Sequence, residues 1–217
     1  MSDAMAGPDR RPSSTSPFRW HYQRISVPRA TALADAMAEM APKADSILDI
    51  GCGDGMLVQE VARRVGARSI RGVDVKLQPD LPFDAVQYDG RKLPFDSSSF
   101  DVVLLSDVLH HAEDAAATLG EALRVTRPNG AVIIKDHFCF GPVSYAILLT
   151  MDVIGNFAQG IDVNGKYLSP PQWIDLVQRC GGTIDRLNWP LRVHGLPFRL
   201  VARSEYQFVA RILPRPS

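Results

Sequence analysis

The heptapeptide Asp49-Ile50-Gly51-Cys52-Gly53-Asp54-Gly55 constrains this chain more than any other stretch. It follows the apolar run Ser46-Ile47-Leu48-Asp49-Ile50. It precedes a segment whose apolar residues, Leu57, Val58, Val61, Ala62 and Val65, recur at helical spacing. Alternate glycines between a strand and a helix describe a strand end where the backbone turns tightly and lets another molecule come close. Glycine has no Cβ to block that approach. With glycine at roughly 7% of residues, the pattern arises by chance in roughly a few chains per thousand of this length.

Strand and helix keep alternating downstream. Gly66 closes the first helix, and Ser69-Ile70-Arg71-Gly72-Val73-Asp74-Val75 reads as a second strand. A third covers residues 85–88, and Phe100-Asp101-Val102-Val103-Leu104-Leu105-Ser106 makes a fourth, apolar enough to be buried on both faces. Residues 114–125 return to the helical period. Arg127-Pro128-Asn129-Gly130 is turn chemistry leading into a fifth strand at 131–135. Upstream, Ala30, Leu33, Ala34, Met37 and Ala38 mark a helix that Pro42 ends. Pro170 and Pro171 open a late helix that Gly181-Gly182 closes, and two final strands near 183–189 and 205–212 suit a hairpin. The expected fold is α/β: a Rossmann-like, doubly wound, mainly parallel seven-stranded sheet with an antiparallel edge hairpin.

At 217 residues the chain fits one domain of ordinary size. Residues 1–17, with three prolines and the run Ser13-Ser14-Thr15-Ser16, read as a disordered leader. The rest divides into a helical lid (18–44), a core (45–137), a cover (138–170) and a C-terminal helix with edge strands (171–217). Lys plus Arg and Asp plus Glu each number 24, so no net field recruits nucleic acid or an anionic membrane. Cys52, Cys139 and Cys180 lie far apart, which suggests neither a disulfide framework nor a metal site and fits a reducing cytoplasm. The longest apolar tract, Val143 to Ile154, is too short to span a bilayer, so no stable membrane insertion is expected.

In an open parallel sheet the ligand lies beyond the carboxyl ends of the strands, where the strand order reverses. A dinucleotide would need Gly-x-Gly-x-x-Gly, with a pyrophosphate on the helix N-terminus. Here Met56 occupies the third glycine position, and Asp54 would set a carboxylate beside the phosphate. A ligand without phosphate suits the turn better.

Asp49-Ile50-Gly51-Cys52-Gly53-Asp54-Gly55 resembles the first motif of class I S-adenosylmethionine-dependent methyltransferases of the methyltransferase-11 type, and the resemblance runs through four further motifs over about residues 45–137. It implies that S-adenosylmethionine is the cofactor, with Gly51, Gly53 and Gly55 forming the turn around its methionine part and Asp49 anchoring the amino group. Asp74 lies nineteen residues beyond Gly55, where both nucleotide-binding families place an acid on the ribose; a carboxylate can accept two hydroxyls at once. By the same resemblance Val75, Asp89 and Gly90 serve the adenosine, with Asp89 accepting from the adenine amine, and Ser106 and Asp107 line the pocket.

A sulfonium is already an activated leaving group, so methyl transfer asks the protein mainly for in-line alignment, with a proton acceptor where the nucleophile is a hydroxyl or a protonated amine. The candidate catalytic residues are His137 with its neighbour Asp136, and His110 beside His111, all at strand ends. Neither Asn-Pro-Pro-Tyr nor Asp-Pro-Pro-Tyr occurs, nor a Pro-Cys pair, nor a basic stripe for a polynucleotide. A small molecule is therefore the expected acceptor, apolar if Phe138, Phe140, Tyr145, Phe157 and Tyr167 line its site under a lid at 18–24. The competing readings are an NAD-dependent oxidoreductase and a non-catalytic cofactor-binding scaffold of the same fold.

Overall fold

A computed structural model describes residues 27–156, 165–191 and 204–215. The expected leader at 1–17, the lid segment at 18–24 and Phe157 lie outside the described residues.

The apolar periods fold as anticipated. Strands β1 (Ser46–Ile50), β2 (Ser69–Asp74), β3 (Asp84–Gln87), β4 (Phe100–Ser106), β5 (Thr126–His137), β6 (Gly182–Asn188) and β7 (Gln207–Pro214) form one sheet in the order β3-β2-β1-β4-β5-β7-β6. The first five pair in parallel, and β7 inserts antiparallel between β5 and β6. The two late strands do pair with each other, at the edge.

Helices cover both faces because successive strand residues point to opposite sides. Leu48, Ile50, Val103, Leu105, Val132 and Ile134 face one core, with α3 (Ala115–Val125) and α5 (Pro170–Arg179) above them. Ile47, Val102, Leu104, Ala131 and Ile133 face the other, under α1 (Val27–Met40) and α2 (Met56–Val65). Each fully buried Val, Leu or Ile contributes roughly 1.5–3 kcal/mol. Double-sided burial fixes the centre of the sheet and leaves its strand ends to carry chemistry.

Local signals set the helix ends. Gly66 adopts a left-handed φ of 81° and donates its N–H to the Ala62 carbonyl, closing α2. The Asp114 carboxylate accepts from the N–H groups of Ala116 and Ala117 at the start of α3. Ser169 and Gln172 form a capping box ahead of Pro170.

Two elements differ from expectation. β5 starts at Thr126, and its pairing jumps from Phe100↔Thr126 to Val102↔Ala131. Residues 127–130 therefore bulge between two paired positions, so the expected turn lies within the strand instead of ahead of it. Within the expected cover, Pro142–Asn156 is helical (α4), with Asp152 its one charged residue. Among the described residues no helix is long and apolar enough to cross a membrane.

β1 pairs with β2 on one side and β4 on the other. The connections leaving β1 and β4 diverge to opposite faces, and a crevice opens at their carboxyl ends.

Candidate active site

A cavity of about 840 Å³ occupies that crevice. Gly51, Gly53, Asp74, Val75, Asp89, Gly90, Ser106 and Asp107 line it, together with His111, His137, Leu148, Met151 and Asp152. Of the ten residues expected to hold the cofactor, these first eight face the cavity, as does His137 of the expected catalytic group. Asp49 and Gly55 lie behind the wall, and so do His110 and Asp136.

The turn after β1 is built by glycine. Gly51, Gly53 and Gly55 have φ of 72°, 51° and 73°, a region that costs other L-residues roughly 1–2 kcal/mol. A Cβ on Gly51 would sit 2.6 Å from Val108 Cγ2, whereas one on Gly53 would meet nothing within 4 Å. Gly53 thus leaves open space beside the backbone. Gly55 serves packing, since a Cβ there would strike the Phe83 ring at 2.5 Å.

Asp74 ties the turn to β2. Its Oδ2 accepts from Gly53 N–H and its Oδ1 from Lys76 N–H, both at 3.0 Å, leaving one acceptor direction on each oxygen. Asp89 Oδ1 accepts from the N–H groups of Arg91 and Lys92, which holds the carboxyl below its usual range. That is the geometry of an Asp-Gly turn, with Oδ2 left over. Asp54 Oδ1 accepts from Met56 N–H at the start of α2. An acid already occupies the place a pyrophosphate would take.

Asp49 is buried, 5% exposed, and no cation of the described residues stands within ion-pair distance. Burial, then the nearby Asp74 and Asp54 carboxylates, pushes its carboxyl up to about 8. A ligand ammonium beside it would relieve that penalty. Unfilled space at Gly53, acceptor directions on Asp74 and an unbalanced buried acid at Asp49 together fit S-adenosylmethionine, a cation with a ribose and no phosphate.

A buried network of charge adjoins the cavity. Lys135, fully buried on β5, donates from Nζ to both oxygens of Asp107, at 2.6 and 2.7 Å. Burial alone would raise the Asp107 carboxyl, but Lys135, with His137, His110 and Arg29, holds it well below the usual range. Burial pushes Lys135 down, with Asp107 opposing.

His110 Nδ1 lies 2.6 Å from Asp136 Oδ1, and its Nε2 is 3.3 Å from Asp152 Oδ2. Burial would lower this imidazole, yet Asp136 and then Asp152 carry it up to about 10. His110 does not line the cavity, and its contact with Asp136 favours the protonated ring. Asp136 engages His110 first; its distance to His137 Nδ1 is 3.7 Å, longer than the 3.5 Å between that atom and Asp107 Oδ1. His137 Nδ1 thus stands between the two acids, close to both and hydrogen-bonded to neither. Burial, then Lys135, lowers His137, and burial, then His110, lowers His111. Both are neutral imidazoles on the cavity wall.

Asp107, His110, Asp136 and His137 bring ligating atoms within 4.8 Å of one another. A dication fits poorly among them. Lys135 already holds Asp107, and Lys135, Arg29 and His110 already match the charges of Asp107, Asp136 and Asp152.

The aromatic wall expected around the acceptor is elsewhere. Phe138 stacks on Phe208 in the core, Phe140 lies exposed near Trp189, Tyr145 Oη donates to the Gly165 carbonyl, and Tyr167 stacks on His110. Leu148, Met151 and Asp152 of α4 take that place. Asp152 had a signal in the sequence, a lone acid in an apolar helix; Arg29, Leu148 and Met151 had none.

The comparisons with known proteins agree with this geometry. Residues 48–134 match a family model described as a methyltransferase domain. The chain is 33% identical over 132 residues to 27-O-demethylrifamycin SV methyltransferase of Amycolatopsis mediterranei, covering 54% of this chain and 48% of that protein. It is 25% identical over 175 residues to ubiquinone biosynthesis O-methyltransferase of Psychrobacter cryohalolentis, covering 72% and 67%. The chain thus spans about half the length of the first of these relatives. In fold it is similar to a Haloferax volcanii methyltransferase solved in complex with the activator Trm112, with a TM-score of 0.69, 15% identity, and coverage of 91% of this chain and 95% of that one.

Proposed function

Because its core is a class I S-adenosylmethionine-dependent methyltransferase domain, we propose that this chain transfers the methyl group of S-adenosylmethionine to a hydroxyl of a small molecule held under α4. The observation that carries this reading is the continuity of the cavity, which is lined by Gly51, Asp74 and Asp89 and also by His137, Met151 and Asp152. Two relatives named for methylation at oxygen support a hydroxyl acceptor.

When bound, the cofactor supplies a methyl on a positively charged sulfur. Gly51 and Gly53 hold its methionine part, Asp49 its ammonium and Asp74 its ribose, with Asp89 Oδ2 toward the adenine amine. Leu148 and Met151 give the acceptor's apolar body a surface and exclude water. Such alignment can supply roughly 7–11 kcal/mol of the barrier. His137 takes the proton. Its Nδ1 lies 3.5 Å from Asp107 and 3.7 Å from Asp136 without a hydrogen bond to either, and with the proton on Nδ1 the other ring nitrogen, Nε2, would accept from the hydroxyl. A proton acceptor of this kind contributes roughly a hundredfold to ten-thousandfold.

Titration calorimetry tests the donor side. S-adenosylmethionine and S-adenosylhomocysteine should bind and NAD should not, and Asp74→Ala should weaken both ligands at least tenfold, about 1.4 kcal/mol. Binding of NAD alone would overturn the reading. A metabolite screen with labelled methyl donor identifies the acceptor, and His137→Ala should then lower kcat at least a hundredfold with S-adenosylmethionine affinity unchanged.

A further inference from the structure

His110 is a buried polar side chain at the acceptor end, yet it does not face the cavity. Its ring is 2% exposed. Nδ1 meets Asp136 of β5 at 2.6 Å, and Nε2 lies 3.3 Å from Asp152 Oδ2 of α4, an ion-pair contact without hydrogen-bond geometry. Tyr167 stacks on the ring with centroids 5.2 Å apart, and its hydroxyl donates to the same Asp152 oxygen. The backbone joins in, since Lys166 N–H donates to the His110 carbonyl at 2.8 Å.

The element fastened in this way is tied elsewhere mainly near its start, where Phe140 N–H donates to Ser144 Oγ and Tyr145 Oη donates to the Gly165 carbonyl. α4 pairs with no strand. Of its side chains only Leu148 and Leu149, among the described residues, join a small apolar cluster, with Cys139, Tyr167 and Tyr206. Yet α4 supplies Leu148, Met151 and Asp152 to the cavity wall, so its placement over β5 determines the shape of the acceptor end.

We propose that His110 is a positioning residue: held between Asp136 and Asp152, it pins the cover helix α4 to the strand that carries His137, and so sets acceptor binding without itself taking a proton from the acceptor. The part about the acceptor rests on the methyltransferase reading; the pin itself does not. The titratable groups facing the ring are Asp107, His111, Asp136, His137, Asp152 and Tyr167. Three carboxylates among them act in the same direction, so the pin is charged across the neutral range.

The test uses the full chain with S-adenosylhomocysteine as the probe ligand. His110→Phe keeps the ring volume and the stacking on Tyr167 but lacks both nitrogens. Hydrogen exchange of the α4 amides should speed up at least tenfold in His110→Phe and in Asp152→Asn, and the double variant should be no faster than either single one. Exchange in β1 and β4 and affinity for S-adenosylhomocysteine should stay within twofold. In the intact protein, 15N chemical shifts should show both His110 ring nitrogens protonated at pH 8. Unchanged α4 exchange, equal acceleration across the whole sheet, or a neutral His110 at pH 8 would each overturn the proposal. Failure of the wild-type chain to bind S-adenosylhomocysteine would sink the methyltransferase reading instead, and the exchange comparison would still decide the pin.

Discussion

The pair of buried Lys135 with the cavity-facing Asp107 offers the sharpest check on the electrostatics of the site, because its consequence is a stability that needs no acceptor to measure. Lys135→Met keeps the length and flexibility of the side chain while removing the ammonium that donates to both Asp107 oxygens. Breaking a buried pair by deleting one partner leaves an uncompensated charge and costs about 3–5 kcal/mol. Arg29, 3.9 Å from Asp107 and 41% exposed, and solvent at Asp107, itself 33% exposed, both recover part of this, so the lower end is the upper bound here. For a chain of this size about 3 kcal/mol corresponds to a fall in Tm of roughly 6–12 °C.

The sign with pH follows from Asp107. Its folded-state carboxyl lies below the unfolded value, so its contribution is fully present above about pH 4 and is lost as pH falls through the folded value. In Lys135→Met burial acts with less opposition, and the carboxyl protonates at a higher pH. The gap between wild type and variant should therefore be widest near pH 7 and narrow toward about pH 5. Thermal and urea unfolding at both pH values measure it. A Tm within 2 °C of wild type at pH 7, or a gap that widens on acidification, would refute the assignment of Asp107 as an anion held by Lys135.

Two further outcomes probe the cofactor end. Gly51→Ala places a Cβ 2.6 Å from Val108 Cγ2 at a φ of 72°; it should weaken S-adenosylmethionine binding at least tenfold, and Val108→Ala in the same chain should restore part of the loss, so strictly additive effects would show that the clash is not the cause. Asp49, at about 8 in the free protein, should lose its proton to admit the ligand ammonium. Affinity should then rise with pH from 6 toward 8, at most tenfold per pH unit, and calorimetry at pH 7 in buffers of different ionisation enthalpy should register proton release; its absence would place the ammonium elsewhere.

Much of the fold was legible because period and glycine both act locally. The bounds of β1 and β4 match their apolar runs to the residue, since a strand buried on both faces ends where polar and turn residues begin. The eight cavity-lining cofactor residues were legible for the same reason: each stands at a strand end or in the turn after it. Gly55 shows where this reasoning stops. Its conformation could be inferred from the turn, but Phe83, the side chain that a Cβ there would strike, lies in a different connection.

The acceptor end was harder to read because sequence neighbours are poor guides to contact within a strand. Asp136 and His137 adjoin, which invites pairing them, but consecutive strand residues point to opposite faces while residues two apart share one. Lys135 and His137 accordingly meet the same group, Asp107, at 2.6 and 3.5 Å. Asp136 turns the other way and reaches His110, 26 positions earlier in the chain. The period of two thus predicts which carboxylate steers His137, and a double-mutant cycle can separate the two candidates. His137→Ala should couple more strongly in kcat to Asp107→Asn than to Asp136→Asn, whose own effect should follow that of His110→Phe. The reverse ordering would mean that adjacency, and not the pleat, governs this site.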